Sequence, residues 1–109
     1  MERICSFVIN DRLYTIYDVG RILGKKSYVG QTTYGTGEVY IEENTNEEML
    51  LTLKHELMHI WLYEHGHTNQ GNGELFSYEE VCEYVALSND FINKITNKYI
   101  KSKRYLYRQ

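Results

Sequence analysis

Between residues 46 and 64, Leu53, Leu57, Ile60 and Trp61 fall on one side of a 3.6-residue turn, and His55 and His59 fall on the other. A segment with that period is a helix with a buried back and a polar front. The front carries the pattern His55-Glu56-Leu57-Met58-His59. Histidines four positions apart lie about 40° apart around the axis and one turn apart along it, so both imidazoles can reach a single ion. Glu56 then stands beside them, where a carboxylate can move a proton between a water and a leaving amine. H-E-x-x-H is short enough to arise by chance, so its weight comes from its register on the helix.

Length and composition bound what else the chain can be. Its 109 residues make one domain with one modest core. Apolar residues make up 42 % and charged residues 25 %, and no run approaches the roughly 18 apolar residues a membrane span needs. No apolar segment with a small-residue cleavage site follows Met1, so a cytoplasmic protein is expected. Cys5 and Cys82 are too few for a disulfide framework and have no C-x-x-C partner, which reads as two small, reduced core residues.

Charge is uneven. All 15 acidic residues lie at or before Asp90, and six of the 12 basic ones follow it, giving −9 over residues 1–90 and +6 over residues 91–109. Lys94, Lys98, Lys101, Lys103, Arg104 and Arg108, interleaved with Tyr99, Tyr105 and Tyr107, invite a nucleic-acid reading. The stronger explanation is that these cations complement the end of a long helix and pair with the acidic body, so direct nucleic-acid binding is not the expected role.

Along the chain, Ile4–Asn10 and Leu13–Asp18 read as strands joined at Asn10-Asp11-Arg12. Tyr28–Tyr34 and Glu38–Glu42 read as a second hairpin around Gly35-Thr36-Gly37, with Val39 and Ile41 facing one way and Tyr40 the other. Residues 1–43 are thus mostly β. Thr45 and Glu48 have capping-box spacing at the start of the H-E-x-x-H helix, which occupies residues 46–65 and ends at Gly66. After a polar loop from His67 to Gly73, Ser77 and Glu80 offer a second capping box for a helix over residues 77–100, with a basic tail at 101–109. Gly20–Ser27 lacks the order of a phosphate loop, and Asp11 and Asp18 are explained as turn and strand-end residues with no ionic role.

A hydrolytic zinc site has three protein ligands and an open position. His65 lies six residues after His59, but Leu62 stands where a chain-reversing glycine would be needed. His67 lies beyond Gly66 and could fold back. Glu79 and Glu80 on the next helix are better placed, with Glu83 as a fallback. If Val81, Val85, Ile92 and Tyr99 form the buried stripe of that helix, Glu79 lies nearest its edge on the side of Cys82 and Ala86.

With these residues in place, the chain resembles the gluzincin metallopeptidases, in which a glutamate on the following helix completes a two-histidine zinc site; Glu79 comes 20 residues after His59. Within that class it is similar to the ImmA/IrrE family of small bacterial and phage enzymes, whose second helix carries a pattern close to E-x-x-A-x-x-F-A. Here the stretch reads Glu79-Glu80-Val81-Cys82-Glu83-Tyr84-Val85-Ala86, with Cys82 and Val85 in place of alanine and phenylalanine. The proline that commonly follows is absent. The resemblance spans roughly residues 46–92.

The resemblance implies an α+β, minimal zincin-like fold, with a small, mainly antiparallel sheet packed on the H-E-x-x-H helix and a long C-terminal helix. Strand Glu38–Glu42 would be the edge to which an extended peptide adds. One Zn2+ per chain would be held by His55, His59 and Glu79, with Glu56 as general base and then acid. Tyr63, His65, His67 and Tyr78 are the candidates for stabilising the oxyanion. The implied activity is hydrolysis of a cytoplasmic protein, such as a transcriptional regulator with a helix-turn-helix partner. The alternatives are a non-catalytic metal-binding module, or a regulator- or nucleic-acid-binding protein acting through its basic tail.

Overall fold

A computed structural model describes residues 1–20, 29–68 and 75–107. It is a mixed α+β structure: strands β1 (Glu2–Ile9), β2 (Arg12–Val19), β3 (Gly30–Thr33) and β4 (Glu38–Glu42), then helices α1 (Asn46–Glu64) and α2 (Tyr78–Tyr107). The segment from Arg21 to Ser27, which carried the phosphate-loop question, lies outside the described residues.

Both expected hairpins form. Asn10 and Asp11 take φ of 53° and 61°, the two left-handed positions of a tight turn, and Ile9 pairs with Arg12 across it. β3 runs antiparallel to β4, and their turn closes through Gly37 N–H to Thr33 O. Gly37 is required there: its φ is +71°, and a Cβ would lie 2.2 Å from the Leu13 carbonyl oxygen.

The sheet order is β1-β2-β4-β3, with β4 parallel to β2. The sheet is therefore mixed, and β4 is interior where an edge was expected. Val39 and Ile41 are fully buried, which suits a strand flanked on both sides, and β3 takes the edge. A bulge between Arg3 and Cys5 turns both Ile4 and Cys5 into the core.

Both helices pack against the sheet, α1 over β3 and β4 and α2 over β1. Met49, Leu53, Leu57 and Ile60 supply the buried side of α1, each contributing about 1.5–3 kcal/mol of apolar burial. The N-cap Thr45 accepts from Glu48 N–H, and Gly66 at φ +95° ends the helix as His67 N–H bonds Leu62 O and Gly66 N–H bonds Tyr63 O. α2 opens with a complete capping box: Glu80 N–H bonds Ser77 Oγ at 3.1 Å, and Ser77 N–H bonds Glu80 Oε1 at 3.0 Å. It continues as helix through residues 101–107, so the expected tail is its last two turns.

Several expectations about side chains are corrected. The buried stripe of α2 is Ser88, Ile95, Thr96 and Tyr99, with Phe91 and Ile92 half-buried; Val81 and Val85 are 45 % and 56 % exposed. α2 thus packs on the core along its middle and end, and in its second turn only Tyr84 turns inward, against Trp61 of α1. Cys5 is buried, but Cys82 is exposed.

Asp18 is not a plain strand-end residue. Its carboxylate is buried on β2, accepts a 2.7 Å bond from Tyr99 Oη and meets Lys103 Nζ at 3.0 Å. Lys98 Nζ donates to the Ser6 carbonyl of β1. At the other end of β2, Tyr14 Oη donates to Glu64 of α1, which Arg12 also pairs at 3.4 Å; burial and that carboxylate raise the Tyr14 phenol strongly.

Lys103→Met should cost about 3–5 kcal/mol by leaving a buried carboxylate without its cation, and Tyr99→Phe about 1–3 kcal/mol by removing one donor. Urea unfolding of both variants against wild type measures the two losses.

Candidate metal centre

His55 and His59 project from the side of α1 away from its apolar back, His55 exposed and His59 half-buried. Their Nε2 atoms are 3.1 Å apart and hydrogen-bonded to each other, with the rings inclined at 67°. Two nitrogens bound to a tetrahedral zinc at about 2.0–2.1 Å would be separated by about 3.3–3.4 Å. The two rings therefore converge to within a few tenths of an ångström of the spacing a shared ion requires. The donor set fits zinc as two of its ligands.

Glu56 reaches β3 and is only 7 % exposed. Thr32 Oγ1, on β3, donates to Glu56 Oε1 at 2.7 Å. Gly30 lies against the same side chain: a Cβ there would stand 3.1 Å from Glu56 Cγ, 3.2 Å from Oε2 and 2.6 Å from Thr52 Cγ2. Tyr34, at the end of this strand, has its phenol pushed up to about 12, chiefly by burial and next by the charge of Glu56. These β3 contacts were not found from the sequence. The alternation Gly30, Thr32 on one strand face is the signal that could have shown them.

The remaining candidates are spread around the molecule. The His65 ring stacks on Trp61 at 4.0 Å, its Nδ1 2.7 Å from Trp61 O. His67 packs edgewise on Phe76 and lies 5.0 Å from Tyr84, at the start of α2. Tyr63 stacks on Tyr34 at 4.1 Å and carries the Arg12 guanidinium over its ring. Tyr78 is 91 % exposed.

Of the acids on α2, Glu80 is engaged by Ser77 and by Tyr84 Oη, and Glu79 and Glu83 are exposed. Glu79 lies nine positions before the buried Ser88, which at about 100° per residue is half a turn around the helix, on the solvent side. Among the described residues, no group of three His, Cys, Asp or Glu side chains is arranged to hold a metal. No helix among them is long and apolar enough to cross a membrane.

Comparison with protein-family models, with curated proteins and with solved structures found no match in any of the three.

Ser77 holds the Glu80 carboxylate below its ordinary range, first through its backbone N–H and then through its hydroxyl. A group depressed on folding stabilises fully above its unfolded value and loses that contribution as pH falls through the folded one. Glu80→Ala should therefore remove part of the acid-induced loss of helix content, read by circular dichroism between about pH 6 and pH 2.

Proposed function

We propose that this protein is a zinc-dependent metallopeptidase that hydrolyses peptide bonds in a cytoplasmic protein, with one Zn2+ per chain. The observation that carries the reading is the convergence of His55 and His59 Nε2 at 3.1 Å beside a buried carboxylate, Glu56, held by a strand. A metal that only stapled helices together would have no use for Glu56. Zinc supplies acidification of a water and polarisation of a carbonyl. His55 and His59 would hold it through their Nε2 atoms, the proton now shared between them being released on binding. Glu56, its Oε1 fixed by Thr32, would accept a proton from the attacking water and return it to the leaving amine.

Substrate enters in this reading as an extended peptide along β3, the strand beside Glu56, whose outer edge pairs with no strand among the described residues. Glu79 is the proposed third ligand, which requires the first turns of α2 to rotate toward α1; Val81 and Val85 are exposed there, and Tyr84 against Trp61 is the contact about which those turns would move. A transcriptional regulator, such as a helix-turn-helix protein in a phage setting, is the substrate class the family resemblance suggests.

The nucleic-acid alternative is weakened by where its residues go. Tyr99 and Lys103 are committed to Asp18, and Lys98 bonds Ser6.

Elemental analysis of protein purified in metal-free buffer should find about one zinc per chain in wild type and in Glu56→Gln, little in His59→Ala, and less in Glu79→Gln. Glu56→Gln should lower hydrolysis by about 10²–10⁴-fold. Wild type that takes up no zinc would sink the proposal.

A further inference from the structure

We infer that Thr32 is a positioning residue for Glu56 and that β3 thereby couples peptide docking to the orientation of the general base; this rests on the metallopeptidase reading. A buried carboxylate on a helix can adopt several rotamers, and only some aim an oxygen toward the space in front of two histidines. In this structure the choice is made from outside the helix. Thr32 Oγ1 donates to Glu56 Oε1 at 2.7 Å, which fixes the carboxylate by one of its two oxygens.

Gly30 enforces the same arrangement sterically. It is two positions earlier on the same strand face, and the absence of a Cβ lets the backbone of β3 come down on the Glu56 side chain, since a Cβ there would stand 3.2 Å from Oε2 and 3.1 Å from Cγ. A hydroxyl and a bare α-carbon from one short strand therefore hold the carboxylate from two directions.

Of the four strands, β3 is the one placed to report on substrate. It is four residues long, lies at the sheet edge and is bonded to β4 on one side only among the described residues. A peptide pairing with its outer edge would settle β3 in register, and Thr32 passes that register to Glu56. Poorly pairing peptides would leave the base less well oriented, so selectivity would fall on turnover more than on affinity.

The test uses the full chain with zinc, on a mixture of quenched fluorescent peptides and on casein, comparing wild type, Thr32→Val, Thr32→Ser and Glu56→Gln. Thr32→Val should lower kcat by about 10- to 100-fold with KM within about twofold, and Thr32→Ser should restore most of the loss. In a Glu56→Gln background, Thr32→Val should have no further effect. Zinc content should match wild type throughout. If Thr32→Val does not fold by circular dichroism, Thr32→Ala replaces it.

A folded, zinc-loaded valine or alanine variant with wild-type kcat overturns the role of Thr32 and leaves the peptidase reading standing. A fall in melting temperature with unchanged kcat assigns Thr32 to stability alone and overturns it equally. Wild type that binds no zinc, or binds it and cleaves nothing, overturns both readings together.

Discussion

A carboxylate placed on the inner face of a sheet must be met by a cation or it destabilises the fold, and Asp18 is met by Lys103 from the far end of the chain. The pairing fixes where α2 lies along the sheet, because Tyr99, one turn earlier, must present its hydroxyl to the same group. Once α2 is fixed, its middle turns seat Ile95 in the core and Phe91 against Phe7. β2 repeats the device at its other end, where Tyr14 and Arg12 hold Glu64 and so fix the last turn of α1. With Ile16 fully buried between them, one strand sets the position of both helices through polar contacts at its ends and apolar packing at its centre.

What the sequence made legible follows the range of the interactions involved. The bounds of α1, both caps and the two hairpin turns depend on neighbours within a few residues, and each was readable from spacing and residue type. The parallel pairing of β2 with β4 was not, since strands of similar pattern can be ordered in several ways and the choice depends on close contacts such as Gly37 against Leu13. Val81 and Val85 continue the apolar period of α2 without being buried, because periodicity gives the side of a helix but not how far its partner extends. Asp18 looked like a strand end because the charge that meets it lies on another element.

The site divides along the same line. His55, Glu56 and His59 come from one helical turn, so their juxtaposition was written in the local pattern. The residues that hold Glu56 come from β3, and any third ligand must come from elsewhere again. The acids of α2 illustrate the limit: Glu79, Glu80 and Glu83 are close in sequence, yet one caps the helix and two face solvent. A single helix carries the histidine pair, and tertiary structure decides how the carboxylate beside it is held.

The two borders of the sheet are not equivalent. On β1, the ammonium of Lys98 occupies the Ser6 carbonyl, and an inserted cation of this kind discourages another chain from adding there. On β3, short and polar, the described residues provide no such guard. Among the described residues, strand addition is thus disfavoured at β1 by a contact that β3 lacks. One lysine on a long helix is enough to make the two borders chemically distinct, so the asymmetry of the sheet is set by a helix that belongs to neither border.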